Sequence, residues 1–511
     1  MNIKDFIIPM ALATLAVVGI RYYYSGTSLS SSDSAGATGF TAPKVKQEYE
    51  PLNKEIEFID TPRTAPEQIT DVETTWGHLI FSTDGATLKQ LAFKRMIDGK
   101  EELIKTIDTA DTQQEDRCFL VALQAKTPYF YTLVDRKYTD DAIELRYEAA
   151  VNAGRLAKTF IVYKHRCEVD LKIEVDAASG GVQPRVFFPA PFMKEIESTD
   201  VIDAVLVNRH DTFEKITRAS VDEQAGWYSP TLFGTDSRYF VHACVKDPQA
   251  FTKRAYYKFG DKTGLISILE SAPVEAATSW TISFFMGPKE SQAFVPVDPR
   301  LEQTMEYHGL LAPVSRALLA VLNWLFNYVH NYGLAIILLT FLIKLVLLPF
   351  SLKGEQSMKK QREFQKKIAY LQQKHKANPE LLNEERNELM RKQGVGGMIG
   401  GCLPILLQIP IFFALNKVLS SSFELYQAPM LWIPDLSATD PYYILPVLVA
   451  IVMVLNAIIS SDSQQMITGL VMALVFGAIT ASFSAGLALY LGTSVLAGII
   501  QTKVLRMLNI A

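Results

Sequence analysis

The sequence predicts a multi-domain membrane protein. Its expected parts are an α-helical bundle of six transmembrane spans (a five-span core plus an N-terminal anchor), a large antiparallel β-sandwich outside the membrane, and a cytoplasmic helical hairpin. Three observations predict this. Five apolar runs crowd residues 332–511, each near the roughly 20 residues that a spanning helix needs. Residues 45–298 instead alternate apolar and polar side chains over short stretches broken by turn signals, the pattern of half-buried strands. Charge is divided in the same way: residues 25–310 hold 32 basic and 43 acidic side chains, and residues 311–511 hold 16 basic and 10 acidic. The overall charge of −4 over 511 residues and the mean hydropathy of +0.12 average over unlike parts. This composition excludes collagen-like and wholly disordered chains.

Residues 1–24 place Lys4 before an apolar run from Phe6 to Ile20, closed by Arg21 and three tyrosines. The nearest A-x-A site, Ala35-Gly36-Ala37, lies far downstream, so an uncleaved signal-anchor is expected. Residues 25–44 read as a flexible linker, with Ser and Gly concentrated over 25–38. In 45–298, HRCEVDLKIEVD puts Cys167, Val169, Leu171, Ile173 and Val175 on one face, and Asp84-Gly85 and Asn152-Ala153-Gly154 mark turns. One large antiparallel sandwich accounts for these strands. Cys118, Cys167 and Cys244 lie in it without a CxxC; they allow one disulfide, but buried free thiols are expected, and no zinc spacing exists.

Residues 299–331 lead into the membrane part. Leu311, Val314, Leu318, Leu322, Leu325 and Val329 repeat at helical steps, opposite Arg316, Asn323 and Asn327. This is an amphipathic helix expected in the membrane interface; the alternative is a helix packed on the β domain. The core, 332–511, then offers spans over Leu334–Phe350, Cys402–Leu419, Tyr442–Ile459, Met466–Ser482 and Gly486–Thr502. The loop 351–400 carries 11 Lys/Arg against 6 Asp/Glu, whereas 421–442 carries three acids and no base. Positive-inside logic puts 351–400 and the C-terminal tail in the cytoplasm. Parity over six spans then puts the N-terminus inside and the β domain outside. Within 351–400 a stripe of Phe364, Ile368 and Leu371, a turn at Lys376-Ala377-Asn378-Pro379, and Leu382 with Leu389 predict a helical hairpin.

Enzyme motifs are missing. The sequence contains no GxxxxGK[ST], HExxH or GxSxG, and its seven histidines are scattered, so neither catalysis, nor a metal, nor a cofactor is expected. The informative residue is Lys344, because a charge at mid-span costs about 2.5–3.5 kcal/mol on insertion scales. It lies seven residues before Ser351, about 10 Å from the cytoplasmic end. Thr340 is one turn before it and Ser351 two turns after, on one face. Snorkelling to the interface is one reading. The other is a water-filled groove with a fixed positive charge, open only to the cytoplasm. Gln408, and the stripe of Tyr490, Ser494 and Gln501, offer further polar groups for such a groove. Lys417, near the outer end of its span, is explained by snorkelling.

Several segments carry a family resemblance. GGCLPILLQIPIFFAL (400–415), DPYYILPVL (440–448), the Thr340, Phe341 and Lys344 pattern ending at Leu348-Pro349, and the run ending in Tyr490 resemble signatures of the YidC-type membrane protein insertases of the Oxa family, in their Gram-negative form with a large periplasmic domain. The resemblance covers 309–506 well and the β domain by position, size and class. It implies a membrane insertase and chaperone, not an enzyme, without ATP, acting alone or beside the Sec translocon in the cell inner membrane. It also implies both termini in the cytoplasm and the sandwich in the periplasm. Its substrate groove falls on Lys344, Thr340, Gln408, Tyr490 and Ser494. Its client-receiving hairpin falls on 353–392, with Lys359, Lys360, Arg362, Lys366 and Lys367. The implied partners are nascent membrane proteins, membrane lipids, the Sec translocon and, through the basic hairpin, the ribosome; a working monomer is expected. Three departures stand out. Lys344 replaces an arginine and loses its forked donors. Leu491 replaces a frequent second tyrosine. The sequence ends five residues after Arg506, without the family's long basic tail. The competing expectations are a solute or lipid transporter with a charged intramembrane site, and an outer glycan-binding module merely anchored by spans.

Overall fold

The computed structural model describes residues 55–59, 66–97, 100–109, 117–124, 126–151, 154–176, 182–191, 202–260, 264–274, 276–305, 311–375, 380–388, 403–460 and 463–507. The expected anchor over 1–24, the linker over 25–44, the 376–379 turn and Cys402 lie outside the described residues, as do the side chains of Lys359, Lys360, Arg362 and Lys366. The rest divides into two compact units, the first ending at Met305 and the second starting at Glu306.

The named strands of the first unit all pair antiparallel. A nine-stranded sheet runs, in spatial order, β12 (Phe213–Thr217), β11 (Asp203–Val207), β14 (Leu232–Asp236), β15 (Phe240–Lys246), β18 (Thr278–Pro288), β9 (Glu168–Val175), β8 (Gly154–Tyr163), β7 (Ala142–Val151) and β6 (Thr132–Tyr138). Two smaller sheets cover one face of it. One has four strands, β1 (Ile69–Glu73), β2 (Gly77–Ser82), β3 (Thr87–Ile97) and β4 (Lys100–Asp108). The other has five, in the order β13 (Trp227–Tyr228), β16 (Arg254–Gly260), β17 (Gly264–Glu270), β10 (Arg185–Pro189) and β5 (Leu120–Ala122).

Aromatic pairs join the layers. Phe81 meets Phe160 at 4.8 Å and Phe93 meets Phe240 at 5.1 Å between ring centroids, and Phe188 meets Phe284 at 5.2 Å. Val169, Leu171, Ile173 and Val175 point into this core, as their alternation predicts. Glu168 and Asp170, on the other face of β9, are also buried: Lys246 reaches Glu168 at 3.0 Å and the Tyr163 hydroxyl donates to Asp170 at 3.0 Å. Cys118, Cys167 and Cys244 are buried free thiols.

Buried charge in the sandwich is met by local partners. Lys158 on β8 is fully buried and its ammonium donates to the carbonyls of Gly85 (2.9 Å), Ala86 (2.5 Å) and Phe119 (2.6 Å). Gly85 and Ala86 both take positive φ in the β2–β3 turn (70° and 43°), a backbone that glycine adopts freely and alanine does not. The ammonium thus ties a strained turn to the core. On the opposite, solvent-facing side of the nine-stranded sheet a concavity of about 340 Å³ includes Asp135, Lys137, Arg146 and Lys172. Its basic groups are engaged by neighbouring acids, with Arg146 and Lys172 each 2.6 Å from Glu174 and Lys137 3.1 Å from Asp135.

His242 on β15 is fully buried, with Nδ1 3.1 Å from the Pro189 carbonyl and no partner at Nε2. The neutral tautomer with Nδ1–H donating fits this site. Burial pulls the imidazole down to about 4, against a smaller opposing effect of the Pro189 bond. The unfolded chain therefore takes up a proton that the folded domain refuses. The associated stability is complete above about pH 6.5 and is lost as pH falls to about 4, by about 3 kcal/mol. Thermal unfolding of the full chain, followed by sandwich tryptophan fluorescence between pH 7 and 4, should show this loss, and His242→Gln should flatten it.

Candidate functional site

The second unit is helical. α1 (Ala312–Val329) has Pro313 in its first turn and ends at His330, which takes φ 52°. Its buried residues are Ser315, Leu322 and Leu325, and it packs on α2 and α4 of its own unit, introduced below. Val314, placed on the apolar stripe by sequence, is exposed instead, because Ser315 occupies the tight crossing near the Ala414 carbonyl (3.4 Å). Trp324 and Tyr328 point outward, 5.0 Å apart.

Asn331 caps the next helix, accepting from the Leu334 N–H at 3.0 Å. That helix, α2 (Tyr332–Lys374), is 43 residues long. It runs from the first core span into the expected hairpin without interruption, with Pro349 inside it. α3 covers 380–388; His375 lies 3.4 Å from Glu385 and so links α2 to it. Then come α4 (Leu403–Ser421), α5 (Ile444–Ser460), α6 (Ser463–Thr480) and α7 (Ala485–Met507). Among the described residues Tyr332–Leu352 and Ala485–Val504 are long and apolar enough to cross a membrane, and Ile444–Ile459 and Gly469–Thr480 are shorter apolar helices. Outward side chains such as Leu345, Val346, Val447 and Leu474 are more than half exposed, the reverse of a water-soluble bundle. Gly469 lies against Ala457 and Gly477 against Ala450, the small-residue contact by which helices associate in lipid.

Helices α2, α4 and α7 pack on one another, and all five groove candidates lie on them. Gln408 on α4 donates from Nε2 to the Tyr490 hydroxyl on α7. Ser494, one turn beyond Tyr490, also hydrogen-bonds to it. Tyr490 and Ser494 are buried and Gln408 is partly so. These three therefore form one polar cluster between α4 and α7. Thr340 on α2 is fully buried and its hydroxyl donates to the Ile336 carbonyl at 2.7 Å. Lys344, one turn on, is partly exposed. Among the described residues no oxygen partners it, and the described segments of α4, α5, α6 and α7 contain no acid. Of the hairpin candidates only the Lys367 side chain is described, and it is exposed on α2.

Sequence reasoning missed a compact cap over one end of the bundle. It is built from 422–443, between α4 and α5. Leu425, Tyr426, Ile433 and Leu436 are buried in it. Asp440 accepts from the N–H groups of Tyr442 (3.1 Å) and Leu445 (2.7 Å), capping α5, while Asp435 takes the Ser437 N–H and hydroxyl at 2.8 and 2.6 Å. The start of α7 is stitched to the cap by Ala485 N–H to Ala438 (2.7 Å) and Gly486 N–H to Leu436 (2.8 Å). Met430 lies so close to Gly333 at the start of α2 that a Cβ there would overlap it. The available signal was Asp440-Pro441 ahead of an apolar run, a turn signal at the start of a helix.

A β-sandwich joined in sequence to an apolar helical bundle defines a membrane-embedded protein with a large extramembrane domain. Two family models match it: "60Kd inner membrane protein" over residues 324–510 and "YidC periplasmic domain" over 68–321. Among curated relatives, the membrane protein insertase YidC of Helicobacter pylori (strain ATCC 700392 / 26695) is 32% identical over 319 residues, 61% of this chain and 56% of that protein. That of Magnetococcus marinus is 36% identical over 291 residues, 55% of this chain and 51% of that one. That of Syntrophus aciditrophicus is 28% identical over 453 residues, 84% and 82% of the two chains. A crystal structure of an active YidC insertase aligns over 88% of this chain and 94% of its own at 19% identity, with a TM-score of 0.38. The chain belongs to the YidC family. The matches to the Helicobacter and Magnetococcus relatives span about half of those proteins' length.

The α4–α7 cluster generates a stability test. Tyr490→Phe removes the hydroxyl that Gln408 and Ser494 share. A double-mutant cycle with Gln408→Leu, read by thermal unfolding in detergent, should give a coupling of roughly 0.6–1.7 kcal/mol, the range of interhelical hydrogen bonds in membranes.

Proposed function

We propose that this chain is a membrane protein insertase and chaperone of the inner membrane, taking client segments from the cytoplasm through a groove that carries the Lys344 charge. The observation that carries this reading is an ammonium without a partner on an apolar helix. A client carboxylate entering hydrocarbon costs about 2.5–3.5 kcal/mol. At 4 Å from Lys344, with an effective dielectric constant near 20, the attraction is about 4 kcal/mol. The two magnitudes match, so one lysine suffices to offset the transfer of one acid. The client's hydrophobic helix then leaves sideways into lipid, driven by burial of its apolar surface. No nucleotide is needed for either step.

In this reading the bundle comprises six spans, counting the 1–24 anchor, with both termini in the cytoplasm and the sandwich in the periplasm. The cap lies at the periplasmic end and closes the groove there, since it joins the C-terminus of α4 to the N-termini of α5 and α7. Domain limits at 1–24, 25–44, 45–298, 299–331 and 332–511 follow this plan. Thr340, Gln408, Tyr490 and Ser494 line or brace the groove. Lys359, Lys360, Arg362, Lys366 and Lys367 offer the hairpin's positive charge to clients, lipid head groups or the ribosome. The protein acts as a monomer, alone or beside the Sec translocon.

The test is insertion into proteoliposomes of two clients that differ only in the charge of the translocated tail. Lys344→Ala should slow the acidic client about tenfold, equal to about 1.4 kcal/mol in barrier, and leave the neutral one unchanged. Lys344→Arg should keep both. Equal rates for the acidic client with wild type and Lys344→Ala would refute the charged groove. Anion uptake by the same vesicles, without insertion, would identify a transporter.

A further inference from the structure

The cap between α4 and α5 carries an apolar outer rim. Its two acids after Glu424 turn inward, Asp435 onto Ser437 and Asp440 onto the first N–H groups of α5. Beside its buried Leu425, Tyr426, Ile433 and Leu436, three large side chains turn outward: Leu431 is 83% exposed, Tyr442 69% and Tyr443 56%. Leu431 occupies the tip of a two-residue turn closed by Met430 N–H to Ile433 (2.8 Å) and Ile433 N–H to Met430 (2.9 Å). It takes φ 54°, and Tyr443 takes φ 55°. Positive φ is rare for bulky residues, and such strain persists where surrounding contacts or function require it. In water these two residues would bear strained backbone and exposed apolar area together.

Both ends of this rim continue into outward apolar surface. The 430–433 turn sits on Gly333, next to exposed Leu334 of α2. Tyr443 precedes exposed Val447 of α5 by one helical turn, about 6 Å along the axis. Tyr442 and Tyr443 carry a hydroxyl at the end of an exposed ring. Side chains with an apolar body and a polar tip favour the boundary between acyl chains and head groups.

From this arrangement we infer that Leu431, Tyr442 and Tyr443 form a lipid anchor, seated at the head-group boundary of the leaflet on the cap side. The anchor fixes the depth of the cap in the bilayer. A Leu431 side chain moved from water into the acyl boundary returns up to the usual value of a buried leucine, which exceeds the strain of one left-handed residue. The inference rests on the membrane-spanning reading of the bundle, and its test separates the two.

The full chain carrying Cys402→Ser and one nitroxide label is reconstituted in vesicles of phosphatidylethanolamine and phosphatidylglycerol. The label is placed in turn at Leu431→Cys, Val447→Cys on α5, and Tyr138→Cys on the exposed rim of the sandwich. Collision rates with oxygen and with a water-soluble nickel chelate report depth. The anchor requires Leu431→Cys to follow Val447→Cys, with an oxygen-to-nickel ratio several-fold above that of Tyr138→Cys. A lipid-like ratio at 447 with a water-like ratio at 431 would overturn the anchor alone. Exclusion of both reagents at 431 would assign the rim to a protein partner or a second copy, and also overturn it. A water-like ratio at 447 would overturn the spanning reading, and the anchor with it.

Discussion

A polar group inside an apolar bundle has no water to turn to, so it must find a protein partner or remain uncompensated at a cost. Five hydroxyls of the helical unit obey this in the same way. Thr340, Ser351, Ser420, Ser421 and Thr480 each donate to the carbonyl four residues earlier on their own helix. Gln408 uses Tyr490 on another helix, and Asp440 uses the free N–H groups at the start of α5. Lys344 departs from this rule: among the described residues no oxygen partners its ammonium. The same bundle that hides its hydroxyls leaves this cation open, and that contrast gives the residue its meaning.

The sandwich follows the same rule with different means. Lys158 is held by three carbonyls, and Lys289 reaches Asp236 at 2.8 Å with both side chains buried. Arg300 bridges Asp298 and the carbonyls of Thr231 and Val245. Each of these charges ties a turn or strand end to the core. None is left open to a ligand, and the solvent-facing concavity likewise has its basic groups engaged by acids. Buried charge in the first unit is therefore architectural.

How much was legible depended on whether a residue's surroundings are local in sequence. Long apolar runs gave the core helices, since hydrophobicity alone selects them, and strict alternation gave strands such as β9. Lys344 was legible because a charge inside an apolar run needs no partner to be conspicuous. Lys158 was not: in GRLAKTFIVY a lysine between small and apolar residues reads as an outward side chain, and only the approach of the 85–86 turn and Phe119 makes it a core residue. The cap was missed for a related reason. Its three acids looked like a solvated loop, and nothing local says that Asp435 and Asp440 fold back onto their own backbone. The break expected after the first core span was also absent. Residues beyond Phe350 are polar but still good helix formers, so α2 continues through a change of environment that composition reads as a boundary.

That continuity has a mechanical side. Lys344 and Lys374 sit on one rod, thirty residues and about 45 Å apart. A push on the far end is thus carried along one continuous helix toward Pro349. Within the rod Pro349 is the residue without an N–H to return to the preceding turn, so compliance concentrates five residues from Lys344. Load arriving along the polar half of the rod meets this joint five residues before Lys344.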